Sequence, residues 1–435
     1  MQLVAYGAQD IYLTGNPQIT FFKVVYRRHT NFSIESIEQT FDGTFDFGRK
    51  AVCTISRNGD LVHNMYLQVK VPALKQKQGT SDTKTQWTNG IGNAMIKNVT
   101  VEIGGQEIDK HYGEWMDIWG ELNVDKEHRD TYNEMVGHDA DATADNASYA
   151  RTLYVPLRFW FNRNPGLALP LIALQYHEVK ISVELEDANK LVRNSGTSAT
   201  AITSVKSGAD GSTTNLEVTS GSLWVDYIYL DTDERRRFAQ VSHEYLIEQV
   251  QHTGVESLGS GGTSNKISLN FNHPVKSLHW VIQHEDFTGS TSLISNSGVG
   301  SNPIDTGKNT GGGQKLVYFV RASTNNKNDT FETAKIMLNG HDRMAVRDAD
   351  YFRLVQNYQH MDVCPTKTIY TYSFALKPSE HQPSGTCNFS RIDNASLNLT
   401  FNSNQRDGDR NIKIYAVNYN VLRIMSGMGG LAYSN

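Results

Sequence analysis

The sequence has few cysteines, and they show no spacing that would form a disulfide framework or a zinc site. Only three of the 435 residues are cysteine, namely Cys53, Cys364 and Cys387, and no C-x-x-C pair occurs. An odd number of widely spaced thiols argues against the cross-linked scaffolds of small secreted proteins. We therefore expect three reduced, mostly buried thiols in a protein that folds in a reducing compartment.

Long hydrophobic runs and a targeting segment are also missing. The longest apolar stretch, Gly166 to Ala173, has about eight residues, whereas a membrane-spanning helix needs about twenty. The first residues lack a basic segment followed by an apolar one, so no signal peptide is predicted. We expect synthesis in the cytoplasm and no crossing of a membrane by the chain itself.

A surplus of positive charge is absent too. The formal net charge is −5 and the isoelectric point about 6.3, whereas tight, non-specific coating of DNA needs a basic face that displaces counterions from phosphates. Two short basic clusters, Tyr26–His29 and Arg235–Arg237, could contact phosphates. Local ion pairs at a domain or subunit junction explain them better, so no specific nucleic-acid partner is expected.

Signatures of catalysis and of cofactor or metal binding are not found. The sequence has no Walker A loop, no dinucleotide fingerprint after a strand and no nucleophile elbow. His177-Glu178 and His243-Glu244 begin like a zinc-protease motif, but isoleucine stands where its second histidine is needed. Residues 139–145 imitate the start of a calcium loop without its glycine. We expect no catalytic residue, no cofactor and no metal site; a β-sandwich hydrolase with dispersed catalytic groups is the enzymatic alternative.

What the sequence has in abundance is alternation of apolar and polar residues, as in Val179, Ile181, Val183 and Leu185. A period of two places every second side chain on one face of a strand. Such stretches recur along the whole chain between Gly- and Asn-rich turns, which predicts an all-β fold. The predicted helices are few and the predicted loops long. The helices are 112–135, 231–238 and 348–358, and the loops are 75–92, 137–148, 188–214 and 286–313.

The two halves of the chain resemble each other, because four patterns recur in the same order. They pair Phe32–Glu35 with Tyr245–Glu248, Val101–Glu107 with Ile336–Asp342, Val179–Leu185 with Ala395–Phe401, and Asp226-Tyr227 with Asn418-Tyr419. Eight or so strands per copy and no βαβ rhythm predict a double jelly roll, two tandem eight-stranded antiparallel β-sandwiches. An immunoglobulin-like sandwich needs about half the length of each copy. We place an N-terminal arm at 1–24, the first jelly roll at 25–232 and the second at 233–435.

Long blocks of the sequence resemble the major capsid proteins of nucleocytoplasmic large DNA viruses, and most closely those of the algal, chlorella-type viruses. The blocks are Leu3–Lys23, Tyr26–Phe32, Ile55–Leu61, Ile103–Gln106, Pro165–Val179, Gln382–Ala395 and Tyr419–Tyr433. The resemblance implies a late structural protein of an icosahedral virion. It also implies homotrimeric, pseudo-hexagonal capsomers that contact neighbouring capsomers and minor capsid proteins above an inner membrane.

Three further predictions concern single segments. The arm Met1–Lys23 is too apolar for a free tail, so we expect it to pack beneath the domains or against a neighbour on the inner side of the shell. Segment Ser426–Gly430 has no strand pattern and is either another contact or a chain end lying on the core.

Asn146 and Asn328 are the glycosylation candidates. The long loops should form the outer face; receptor or carbohydrate binding is the alternative function, although these loops have few aromatic residues.

Overall fold

The computed structural model describes residues 7–73, 85–138, 150–194, 205–206, 213–214, 217–259, 262–284, 316, 329–342, 344–402 and 410–433. Within these ranges, sixteen strands form four main sheets. The first half contributes β1 (Phe32–Gln39), β2 (Lys50–Thr54), β3 (Leu61–Val71), β4 (Ile96–Ile103), β5 (Gln106–Tyr112), β6 (Arg151–Pro156), β7 (Val179–Leu185) and β8 (Ser220–Leu230).

The second half contributes β9 (His243–Ser257), β10 (Ser264–Ser268), β11 (Pro274–His284), β12 (Thr333–Leu338), β13 (His341–Asp342), β14 (Tyr370–Ser373), β15 (Ala395–Thr400) and β16 (Arg410–Met425). Shorter strands lie beside them or in the connections. They are Thr85–Trp87, Leu169–Pro170, Val192–Asn194, Val205–Lys206, Thr213–Thr214, Arg347–Asp348, Cys387–Asn388 and Met428–Leu431.

Each half is a sandwich of two antiparallel sheets with the same strand order. The first half pairs β1-β8-β3-β6 and β2-β7-β4-β5, and the second pairs β9-β16-β11-β14 and β10-β15-β12-β13. Each strand of the first half therefore corresponds to the strand of the second half whose label is higher by eight, as β1 corresponds to β9. In each half, eight strands are divided between two four-stranded antiparallel sheets, which is the arrangement of a jelly roll. The predicted double jelly roll is therefore confirmed.

Helices are short and lie in the connections. They are α1 (Ile11–Thr14), α2 (Ile91–Ala94), α3 (Gly113–Asn123), α4 (Lys126–Val136), α5 (Trp160–Arg163), α6 (Thr232–Gln240), a π-helix (Tyr351–Val355) that continues into α7 (Gln356–His360), and the 3₁₀ turns Pro165–Leu167, Ala188–Lys190 and Phe389–Arg391. The long helix predicted from residue 112 breaks at Val124 into α3 and α4. Helix α6 begins after Asp231, whose carboxylate caps the amide of Thr232.

The alternating apolar residues fill two cores, one in each sandwich. Ile181 and Val183 of β7 are buried in the first core, and Leu397 and Leu399 of β15 in the second. The first core also takes in second-half residues, including Tyr415 and Val417 of β16, so the two sandwiches pack tightly on each other. The thiols depart from expectation, because only Cys53 is buried while Cys364 is exposed and Cys387 half-buried.

The predicted internal repeat is real, but part of its register is shifted. The β4–β5 and β12–β13 hairpins both turn on two residues of positive φ, Gly104-Gly105 and Asn339-Gly340, as two-residue hairpins require. In the third strands, Val62 lies opposite Tyr227 and Val275 opposite Asn418. The sequence match of Tyr227 with Tyr419 is therefore wrong by one residue. Each third strand carries one extra residue after this pair, and such a bulge is not visible in an alternation pattern.

The C-terminal segment predicted to lack a strand forms one side of a hairpin. Ser426 and Gly427 turn with positive φ, and Met428–Leu431 returns antiparallel to β16. The hairpin is fixed to the first sandwich, since the amide of Tyr176 donates to the Gly427 carbonyl at 3.0 Å and the His177 ring lies 3.0 Å from the Gly429 carbonyl. Two adjacent glycines hid the alternation of this strand. The structure therefore agrees with a chain end that lies on the core of its own chain, and a contact with another subunit remains a prediction.

Candidate assembly surfaces

The outer face of sheet β9-β16-β11-β14 is buried against the first sandwich, and a cluster of charges lies at its edge. Glu248 of β9 is almost completely buried and forms ion pairs with Arg163 at 2.7 Å and with Lys276 at 2.8 Å. The His381 ring lies 3.3 Å from the same carboxylate. Burial alone would raise the pKa of Glu248, but Arg163, His381 and Lys276 outweigh it and hold the pKa well below its usual range.

Helix α3 of the first sandwich presents three carboxylates to the second. Glu114, Asp117 and Glu121 follow a three- and four-residue spacing, so they share one helix face. Their partners are, in order, the Lys413 amine at 2.6 Å, the Lys367 amine at 2.6 Å, and the Thr366 amide at 3.2 Å. A charged helix face usually meets solvent. Here it meets the lysines of the other sandwich, and these contacts fix how the two sandwiches are oriented.

An aromatic contact closes the same interface. Tyr415 of β16 and His279 of β11 are cross-strand partners on the outer face. The Trp115 ring of α3 lies 5.6 Å from each of their rings, centroid to centroid. Burial, and secondarily Lys276, lower the pKa of His279 to about 3, while its ring nitrogens contact the hydroxyls of Ser277 and Thr371. The histidine is therefore neutral and held in place by hydrogen bonds.

The equivalent face of the first sandwich, on sheet β1-β8-β3-β6, is covered at one end, where Phe238 of α6 packs on Leu61 and Ile228, but not around Trp224 and Tyr66 within the described part of the chain. Trp224 and Tyr66 are cross-strand partners at the positions that Tyr415 and His279 hold in the second sandwich. Their rings stack at 6.1 Å with 4° between planes, and Tyr154 lies 6.1 Å beyond Tyr66. On edge strand β1, Phe32 and Ile34 are more than half exposed. We call these five side chains the open face.

A second exposed apolar surface lies between β13 and β14, where the second sandwich has its π-helix and α7. Leu354 is 52% exposed and Tyr358 is 80% exposed, and Val355 and Val346 are exposed beside them. Leu354 and Tyr358 are four residues apart and share one helix face. Phe352 points the other way and is buried in the second core. We call Val346, Leu354, Val355 and Tyr358 the helical stripe.

The N-terminal arm extends away from the body of its own chain. Every residue from 11 to 31 is exposed, with Phe22 at 97%, and the hydrogen bonds described for 7–31 are local. The expectation that the arm packs beneath its own domains is thus wrong for residues 7–23. Packing against a neighbouring subunit remains a prediction.

The other segments singled out by the sequence have no chemical site in the described residues. Asn146, Asn328 and the acidic loop 139–145 lie outside those residues. Glu244 of the second His-Glu dipeptide forms an exposed ion pair with Arg423, and Arg235 pairs with Asp60 at 3.0 Å, as expected of a basic residue at a junction. No cluster of potential metal ligands occurs within the described ranges. No helix there is long and apolar enough to span a bilayer.

The functional contacts that the sequence did not reveal are those between the sandwiches. Glu248 occupies an ordinary polar position in a strand pattern, and Trp115 looks like a core residue of its own helix. One sequence feature pointed to this interface, namely the three- and four-residue spacing of Glu114, Asp117 and Glu121. It could not be used without knowing that a second domain covers this face.

Comparison with known proteins identifies the relatives of the chain. The family described as major capsid protein N-terminus matches residues 20–231, and large eukaryotic DNA virus major capsid protein matches residues 234–430. The major capsid protein of Pyramimonas orientalis virus is 51% identical, covering 100% of this chain and 99% of its own length. That of Paramecium bursaria Chlorella virus 1 is 44% identical with the same coverage.

Solved structures agree with these relatives. The PBCV-1 VP54 structure fitted into a reconstruction of the virophage Sputnik superposes with a TM-score of 0.76 at 38% identity, over 96% of this chain and 100% of that one. The Faustovirus major capsid protein gives a TM-score of 0.70 at 14% identity, over 97% and 94% of the two chains, and so supports the fold alone.

Proposed function

The chain belongs to the major capsid protein family of large eukaryotic DNA viruses and is a structural subunit of a viral capsid, and we propose that three copies form a pseudo-hexagonal capsomer. The observation that carries the proposal is the duplication of the jelly roll. Two similar sandwiches per chain, repeated three times around one axis, present six similar lobes. A ring of such lobes closes by heterologous contacts and packs with neighbours on every side.

The same duplication supports the division into an arm at 1–24, a first domain at 25–232 and a second at 233–435. No sheet of the described residues joins strands from both halves. The function we propose is assembly rather than catalysis. It places the protein in the virion shell after synthesis in the host cytoplasm, with neighbouring capsomers, minor capsid proteins and the inner viral membrane close by.

The mass of the purified protein tests the capsomer. Light scattering after size exclusion should give three times the chain mass of 48.7 kDa, and electron microscopy should then reveal a hexagonal outline. A species that stays monomeric at high micromolar concentration, with or without added salt, would contradict the proposal.

We propose that the N-terminal arm packs against a neighbouring subunit on the inner side of the shell. Its aromatic and aliphatic side chains, among them Tyr12, Phe21 and Phe22, are exposed in the single chain, and burying them in an assembled shell is favourable. Deleting residues 1–23 should leave the sandwiches folded, with an unchanged melting temperature, and should reduce assembly beyond the isolated subunit. Equally stable trimers that assemble as the full chain does would exclude this role.

A further inference from the structure

We infer that the open face of one copy is covered by the helical stripe of the next copy, in the same way that the second sandwich is covered within each chain. This inference rests on the proposed trimer and names the two surfaces that meet in it. Its starting point is that equivalent faces of two equivalent sandwiches differ in one respect. The face around Tyr415 and His279 is buried, and the face around Trp224 and Tyr66 is not.

The covering elements within the chain point to their counterparts. The face around Tyr415 is covered by β5 and α3, which follow each other in the first sandwich. Their counterparts in the second sandwich are β13, which is its fifth strand, and the π-helix and α7 that follow it. This is the segment that carries the helical stripe. A contact repeated along the ring would therefore bring the stripe onto an open face.

The two surfaces match in character. The open face offers the stacked Trp224 and Tyr66 rings and, four residues further along the strands, Ile34, and the stripe offers Leu354 and Tyr358. Both surfaces are held rigidly from behind, since the sheet is backed by the first core and Phe352 anchors the helices in the second core. Large apolar side chains that share one surface mark a protein interface rather than a solvated face.

Charge adds to this match. Strand β1 carries the exposed carboxylate Glu38 opposite Trp224 on this face, and Arg347 is exposed next to the stripe. The partner we commit to is therefore a second copy of this chain, placed head to tail. Because each copy has one open face and one stripe, the contact is heterologous, and a rotation of about 60° per sandwich closes the ring at three copies.

Single charges placed on each surface break the contact. Ile34→Asp alters the open face, and Leu354→Asp alters the stripe; these residues are 55% and 52% exposed in the single chain, so each variant should fold normally. Each should weaken association by about a hundredfold or more, because an unpaired carboxylate would be buried in an apolar contact. Val255→Asp is the matched control, since Val255 is 56% exposed but lies on neither surface.

Mixing the two variants tests the head-to-tail arrangement. The stripe of the Ile34→Asp chain is intact and can bind the intact open face of the Leu354→Asp chain. The two surfaces left over, the open face of the first chain and the stripe of the second, are both altered and cannot bind a third chain. The mixture should therefore stop at a heterodimer of twice 48.7 kDa, while the Val255→Asp protein stays trimeric. Light scattering and non-reducing gels after chemical cross-linking would measure these species.

The outcomes separate this inference from the trimer itself. If either variant alone remains trimeric, or if the mixture forms trimers or stays monomeric after cross-linking, the assignment of the two surfaces is wrong while the capsomer stands. If the unaltered chain and the Val255→Asp protein are monomeric as well, the capsomer proposal fails. Circular dichroism of each variant confirms that loss of association does not reflect loss of folding.

Discussion

The two sandwiches use the same sheet face in different ways. In the second sandwich this face is buried, with ion pairs at Glu248 and a tryptophan from α3 laid over Tyr415. In the first sandwich it carries the aromatic pair Trp224 and Tyr66, stacked and partly exposed. An interface that forms once, as the chain folds, can hold buried charges whose partners are always present. An interface that forms between separate chains must desolvate both members of each ion pair when the chains meet, so buried charges contribute less to it.

This difference separates folding from assembly. The charged interface fixes the angle between two lobes of one chain, since several ion pairs and hydrogen bonds must be satisfied together. The aromatic face contributes buried area without strict pairing, so it can form between copies and tolerate small differences in angle. A shell built from one chain in many positions needs both properties.

The largest expected effect follows from breaking the charged interface. Glu248→Ala leaves Arg163 and Lys276 near each other without their carboxylate, and we expect the free energy of unfolding to fall by about 3–5 kcal/mol. Urea denaturation would measure it. Part of this loss should be relieved below pH 8. Burial, opposed by Glu248, lowers the pKa of Lys276 to about 8, so removing the carboxylate lowers that pKa further and lets the lysine lose its proton at a lower pH.

The control for this prediction is Glu244→Ala. Glu244 also pairs with an arginine at 2.9 Å, but both side chains are about half exposed, so the change should be below about 1 kcal/mol. A loss at Glu248 no larger than that at Glu244 would mean that the buried ion pairs do not hold the sandwiches together.

Equivalent residues of the two faces allow the comparison to be measured directly. Tyr415→Ala should lower the free energy of unfolding by about 3–5 kcal/mol, because the ring is buried beneath Trp115. Trp224→Ala, at the matching position, should cost about 1–2 kcal/mol in the monomer, because its ring is only partly buried. The two values should be obtained by urea denaturation in the Ile34→Asp background, which removes association. Equal losses in this background would show that the open face is already packed within the chain.

The sequence predicts the strands better than the contacts between sandwiches. Alternation is local, so β7 and β15 are recognised from four or five residues each. Glu248 and Trp115 could not be assigned in this way, since their roles depend on contacts with residues that are distant in the sequence. The strand Met428–Leu431 was missed because two of its four residues are glycine. The arm is apolar in sequence, but the sequence of one chain does not describe the surface that would cover it.

The smallest effect that still distinguishes the two faces is the response to acid. Burial lowers the pKa of His279 to about 3 in the folded protein, whereas the unfolded chain takes up this proton near pH 6.5. The unfolded state therefore binds more protons between these values, so stability is complete above pH 6.5 and falls as the pH drops. We expect His279 to contribute about 1.4 kcal/mol per pH unit to the slope of the free energy of unfolding against pH, between pH 6 and 5. Urea denaturation in the Ile34→Asp background would measure this slope. His279→Gln should reduce the slope without abolishing it, since burial also lowers the pKa of His252.

The control is Tyr66→His, which puts a histidine on the open face, where water reaches it, and should leave the slope unchanged. A steeper slope in Tyr66→His, or an unchanged one in His279→Gln, would show that the two faces do not differ in burial as the structure has them.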